Sequence, residues 1–286
     1  MAAEFTCCTS KTLSWSDLRA DDVAPVYADL RRFALRLGVR GTRFAVNGIL
    51  KRRWWVRRGK MWEYARALSC IRQDGKHEKE VMEAGEVMDV MDSQRAKLPP
   101  FGERSPRLPE HPNPPQPPVF RVLDFGGGAT LPVFWLAERG AEVLCLDVNT
   151  GLAEWTNRVA HERGWKLKAA THDLTRDVAP ADWGEFEAVI SFSVLEHVPT
   201  ELQRMALTRL AGLLRPGGVM ALTFDYGTDA AQPFAIRDEA GVTRLVAATG
   251  LQFIEPRGFV DTRERFALDK RHASRKFTFG SLMLRK

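Results

Sequence analysis

From residue 120 onward, short apolar runs alternate with stretches whose apolar residues recur at helical spacing, and this alternation restricts the fold more than any other feature. FRVLDF (120–125), AEVLCLDV (141–148), LKAATHD (167–173), FEAVISFS (186–193) and VMALTFDY (219–226) read as strands. The stretches between them, ATLPVFWLAERG, LAEWTNRVAHERG and TELQRMALTRLAGLLRPGG, read as helices, the last ending at a Pro-Gly-Gly turn. A further helix around EAGVTRLVAATG precedes the closing strands LQFIEP and KFTFGSLMLRK. Strands joined by helices of this length need parallel crossovers, so the expected architecture is a doubly wound α/β sheet.

In such a sheet, ligands sit outside the carboxyl ends of the strands, where a strand turns into the next helix. The first such turn here is Gly126-Gly127-Gly128, directly behind an apolar run that contains Asp124. Three glycines let backbone come close to a ligand, or else make a tight turn with none. A dinucleotide site requires G-x-G-x-x-G, and counting from Gly126 the third glycine falls on Leu131, so the pyrophosphate reading fails there. What stands instead is Asp-x-Gly-x-Gly-x-Thr, from Asp124 to Thr130, with a second acid, Asp147, at the end of the next strand. A carboxylate at that strand end accepts both hydroxyls of a ribose.

The first half of the chain differs in kind. Residues 1–98 hold 19 Lys and Arg against 13 Asp and Glu, whereas the rest is balanced, so the whole formal charge of +6 lies before the middle. KRRWWVRRGK (51–60) is its densest part, with six cations around Trp54 and Trp55. Apolar spacing in VAPVYADLRRFALRLGV, MWEYARALSCI and KEVMEAGEVMDVM reads as helical. Between the halves, residues 99–118 hold nine prolines, which remove backbone donors and favour an extended spacer or an ordered wrap. The division expected is a helical region over 1–98, a proline-rich linker over 99–118 and an α/β domain over 119–286. The start of the chain lacks a basic run followed by an apolar one, and no segment approaches bilayer length, so neither export nor membrane insertion is expected. Cys7, Cys8, Cys70 and Cys145 make neither a disulfide framework nor a zinc pattern, which fits a reducing cytoplasm.

Taken in order, VLDFGGGAT, VLCLDVN, THDL, FEAVISFSVLEHVP, LLRPGGVMALT and the closing strand pair resemble the S-adenosylmethionine-dependent methyltransferases of the Rossmann-like class, over roughly residues 119–286. The resemblance implies a seven-stranded sheet whose last strand inserts antiparallel, with S-adenosyl-L-methionine as cofactor and S-adenosyl-L-homocysteine as product. It places Asp124 and the backbone from Gly126 to Gly128 at the methionine end and Asp147 on the ribose. It puts Asp173 on the adenine amino group with the Leu174 amide beside it, Val148 and Leu174 on the adenine faces, and Phe192 on the pocket wall. Asp173 has a competing role as a helix cap.

Catalysis in this class needs chiefly in-line placement of the nucleophile, plus a base where the acceptor is an alcohol or phenol. In the pair Glu196-His197, His197 is the first candidate base because an imidazole titrates near neutrality, though both residues also suit bracing the following helix. His172 and Tyr226, near strand ends on the same rim, come second. Related quinone O-methyltransferases carry a further Glu three positions before this pair, associated with a metal. That position is Ser193 here, so no metal is expected.

Base-modifying amino-methyltransferases show an Asn/Asp-Pro-Pro-aromatic run after the fourth strand, cytosine-C5 enzymes a cysteine nucleophile nearby, and arginine methyltransferases a loop with two glutamates. None is recognisable, since Cys145 lies on the second strand. The expected acceptor is a small metabolite, natural product or sugar. The segments EHVPTEL and DYGTDAAQPF are too short to enclose it, so the N-terminal half is expected to cap the site, with Trp54, Trp55, Trp62 and Tyr64 as apolar walls and arginines holding an anionic group. The same aromatics also suit the core of the cap itself. Two other readings stay open: an RNA methyltransferase in which the basic segment tracks phosphates and tryptophans stack on bases, and a cofactor-binding protein without catalysis.

Overall fold

A computed structural model describes residues 8–38, 60–71, 119–267 and 274–286. In chain order these hold β1 (Lys11–Thr12), α1 (Ala24–Gly38), a helix α2 over residues 60–71, β2 (Arg121–Phe125), α3 (Leu131–Glu138), β3 (Glu142–Asp147), α4 (Thr150–Arg163), β4 (Leu167–Thr171), β5 (Phe186–Phe192), α5 (Thr200–Gly212), β6 (Leu214–Tyr226), α6 (Glu239–Thr249), β7 (Gln252–Phe253) and β8 (Thr278–Arg285). One sheet runs β1-β8-β6-β5-β2-β3-β4, with β7 paired to β8 off that path. Strands β2 to β6 pair in parallel and β8 enters antiparallel to β6. The seven strands expected from the α/β half are all present, and β1 is an eighth. Both short strands use the free edge of β8, β1 at Gly280 and Ser281 and β7 at Leu284 and Arg285, which covers an edge that would otherwise template aggregation.

Successive strand residues point to opposite faces, and both faces are covered. Val122, Val143, Cys145, Ala188 and Ile190 pack into a core shared with α1, α2, α3 and α4. Leu123, Phe125, Leu144, Leu146 and Val189 pack into a second one under α5 and α6. The helices stop and start where side chains satisfy their ends: the Asn149 side chain accepts the Leu152 amide at 3.1 Å, Asp238 accepts the Gly241 amide at 2.8 Å, and Gly164 and Gly250 close α4 and α6 in the left-handed region. The Pro-Gly-Gly turn behaves as a bulge: Phe186 pairs with Leu214, then Ala188 with Val219, and the residues between loop out.

The described N-terminal elements belong to this body. Helix α1 lies over α3, where Trp135 Nε1 donates to Asp29 at 3.2 Å, Arg139 pairs with the same carboxylate, and Arg36 pairs with Glu138 at 2.9 Å. On α2, Trp62 is fully buried with Leu13 and Phe279, and buried Arg66 donates to Ser281 Oγ at 3.2 Å and to the Thr9 carbonyl. The helix expected at KEVMEAGEVMDVM and the proline-rich segment lie outside the described residues.

Candidate active site

The glycines are required by the site's own acids. A Cβ on Gly127 would lie 2.2 Å from Asp124 Oδ2, one on Gly128 would lie 2.6 Å from Asp147 Oδ2, and one on Gly126, at φ +80°, would lie 2.6 Å from Val194 Cγ2. The loop thus closes directly onto two carboxylates. Asp124 is 1% exposed and accepts a hydrogen bond from Cys145 Sγ at 3.1 Å and one from the Gly127 amide. Burial pushes its carboxyl up to about 7, against those two hydrogen bonds and with a push from Asp147. Asp147, 8% exposed, accepts the Gly128 amide on Oδ2 at 3.0 Å and the Asn149 amide on Oδ1 at 2.8 Å. Each of its oxygens therefore keeps acceptor capacity, one held from the glycine loop and the other from the start of α4.

The other cofactor candidates fall into two groups. Phe192 ends β5 and meets the Tyr64 ring at 5.6 Å between centroids, while Val148, 68% exposed, stands at the end of β3. Asp173 is engaged locally: Oδ1 accepts from the Thr175 amide at 2.9 Å and from its hydroxyl at 2.6 Å, which closes a turn. Leu174 is fully buried in the core, its carbonyl accepting from Arg209 at 2.7 Å.

Beside Phe192 lies a group of charges that the sequence reading had not assembled. Ser193, at φ +54°, donates from Oγ to Glu63 Oε1 at 2.8 Å, and Glu63 Oε2 lies 3.1 Å from Lys60 Nζ. Glu63 is fully buried, Glu196 is 1% exposed, and Asp225 near the end of β6 is 7% exposed. Glu196 Oε2 has no hydrogen-bond partner among the described residues. Burial pushes the Glu196 carboxyl up to about 8, with Asp225 adding to the rise and Lys60 opposing it. Burial also raises Glu63, against the pull of Lys60 and Ser193. For Lys60, burial works to lower the ammonium, but the carboxylates of Glu63, Glu196 and Asp225, together with Tyr64, outweigh it and the net shift is upward.

His197 stands exposed at the rim; partial burial lowers its imidazole, Asp225 opposes this and Lys60 adds to it. The turn holding Glu196 and His197 is braced from α5, where Gln203 Nε2 donates to the carbonyls of Leu195 at 2.8 Å and Val198 at 3.0 Å. His172 packs edge-on against Trp183, 4.9 Å between centroids. Tyr226 is buried between Phe259 and Arg265, and burial pushes its phenol up to about 12. Of the aromatic walls, Tyr64 reaches Phe192, Trp62 faces β8 and the N-terminal strand, and Trp54 and Trp55 lie outside the described residues. Among the described residues no three His, Cys, Asp or Glu side chains are grouped to hold a metal, and no helix is long and apolar enough to cross a membrane.

Residues 122–218, from β2 into β6, match the family model described as a methyltransferase domain. Over 126 residues, 44% of this chain and 52% of the other, the sequence is 31% identical to the ubiquinone biosynthesis O-methyltransferase of Xanthomonas campestris pv. campestris (strain B100). Over 105 residues, 36% of this chain and 40% of the other, it is 32% identical to the tRNA 5-carboxymethoxyuridine methyltransferase of Escherichia coli (strain K12). The chain thus spans about half the length, or less, of the relatives it matches. The solved structure of magnesium protoporphyrin IX methyltransferase from Synechocystis PCC 6803 with bound SAM aligns at a TM-score of 0.42 and 22% identity, over 59% of this chain and 71% of that one. The match to the methyltransferase-domain model thus lies on the parallel strands that carry the glycine loop and its two acids.

Proposed function

We propose that the protein binds S-adenosylmethionine on the glycine loop and transfers its methyl group to an oxygen or nitrogen of a small-molecule acceptor. The observation that carries this reading is the pairing of the loop with Asp147, whose two oxygens each keep a free lone pair after taking the Gly128 and Asn149 amides. That pair of acceptors fits a ribose diol, whose hydroxyls donate, and the buried Asp124 behind the loop suits the cationic end of the methionine moiety. When bound, the cofactor supplies an electrophilic methyl on a sulfonium. The chain's own residues then have three tasks: the loop and Asp147 hold the nucleoside, Phe192 and Tyr64 exclude water, and the rim carrying Glu196 and His197 takes a proton from the acceptor.

The acceptor class is tested by incubating the full-length protein with methyl-labelled S-adenosylmethionine and separated fractions of a cell extract. Label in the small-molecule fraction supports the proposal. Label in RNA instead moves the acceptor to nucleic acid, and no label in any fraction from a protein that binds the cofactor favours a non-catalytic role.

A further inference from the structure

Asp124 and Cys145 are register partners on the parallel strands β2 and β3. Their strand neighbours Leu123, Phe125, Leu144 and Leu146 all pack into the core under α5 and α6, so Asp124 and Cys145 share the opposite face. There Cys145 Sγ donates to Asp124 Oδ2 at 3.1 Å. Oδ2 is also the atom against which the glycine loop closes, since a Cβ on Gly127 would lie 2.2 Å from it. The oxygen that the thiol holds is therefore the one that the loop rests on. Cys145 is fully buried, and burial together with the Asp124 carboxylate pushes its thiol well above the usual range, so it stays protonated and remains a donor.

Resting on the methyl-transfer reading, we infer that Cys145 is a positioning residue of the cofactor site, whose S–H bond holds the Asp124 carboxylate beneath the glycine loop as the counter-charge for the cationic methionine end of the cofactor. The opposing influences on Asp124 are close to balance. Burial favours its neutral form, the Cys145 thiol and the Gly127 amide favour the charged form, and Asp147 works with burial. A neutral acid would offer the cofactor's ammonium no charge, so the bonds that favour the carboxylate also favour binding. The amide is supplied by whatever residue stands at 127. The thiol belongs to this side chain alone, and alanine or valine at the same strand position would bring no donor.

The test is calorimetric titration of the full-length protein with adenosylhomocysteine and with methylthioadenosine, which keeps the nucleoside and sulfur but has no ammonium. Wild type, Cys145→Ala and Cys145→Ser are each titrated between about pH 6 and about pH 8.5. In the wild type, adenosylhomocysteine should bind more weakly as pH falls through about 7, where Asp124 takes up a proton, while methylthioadenosine stays level. Cys145→Ala should move that fall upward by roughly 0.5–1 pH unit, read as a loss of roughly 3- to 10-fold at about pH 6 that closes to within about 2-fold at about pH 8.5. Cys145→Ser, whose hydroxyl also donates, should restore the wild-type profile. Cys145→Val is read in place of Cys145→Ala should the latter fold poorly. The inference is overturned if the variant without a donor follows the wild type at every pH, if it weakens both ligands equally at every pH, or if Cys145→Ser behaves as Cys145→Ala does. A wild-type protein that does not bind adenosylhomocysteine overturns the methyl-transfer reading, and the inference with it.

Discussion

At Gly127 a single methyl group would land 2.2 Å from Asp124 Oδ2, so the residue's role is to let a loop close on a buried acid. Gly127→Ala must displace either the loop or the carboxylate, and overpacking of this kind costs about 1–3 kcal/mol. Chemical denaturation checks the loss of stability, and cofactor titration on the same variant should show weakened binding as well. Asp124 and Asp147 were legible in the sequence because each falls at the end of an apolar strand next to a turn, a position fixed by local pattern alone. The same rule applied to VMALTFDY points to Asp225, which the reading passed over. Glu63 and Lys60 carried no comparable signal: they sit at the edge of a run that reads as a basic surface, and only the crossing of α2 over β5 brings them to Ser193. Leu174 shows the converse, since a strand-end position says nothing of which way a side chain turns, and here it turns into the core beneath α5.

Among the elements, α3 explains how the N-terminal half is held. Seven of its eight residues are buried, from Leu131 to Ala137, so it has no polar face to offer water and α1 covers its outer side. That signal was present in LPVFWLA, where apolar residues fill every side of the helix. Helix α2 is held the same way through Trp62. Trp62→Ala should cost about 3–5 kcal/mol by removing a fully buried indole, measured as a shift in the denaturation midpoint at unchanged slope. A cost below about 1 kcal/mol would mean that α2 is not packed on β8 as described. Strands β2 to β5 were readable to within two residues because they are continuous apolar runs, whereas β6 begins at Leu214, inside the stretch that reads as a helix ending at the Pro-Gly-Gly turn. The two-residue β1 was not, as it exists only through its pairing with Gly280 and Ser281.

For the molecule as a whole, buried acids set the response to pH. Asp124 and Glu196 are pushed up to about 7 and about 8, so their neutral forms are favoured in the folded state. The resulting contribution is full below the ordinary carboxylate range and is lost as pH rises through those two values. The unliganded protein should therefore lose on the order of 4 kcal/mol between about pH 6 and about pH 8.5, and Glu196→Gln should flatten the dependence. Melting curves across that range check both; a stability that rises with pH there would contradict the assignment. Since α1 and α2 share one core with β2 and α3, deleting residues 1–98 should expose that face and lower stability outright, rather than remove a detachable cap. The most direct measurement for the account is calorimetric titration of the full-length protein with S-adenosylmethionine and with NAD, repeated on Asp147→Ala. The prediction is that S-adenosylmethionine binds more tightly than NAD and that the substitution weakens it roughly 30- to 150-fold, the worth of a buried carboxylate accepting two hydroxyl protons. Tighter binding of NAD, or an Asp147→Ala variant with unchanged affinity, would contradict it.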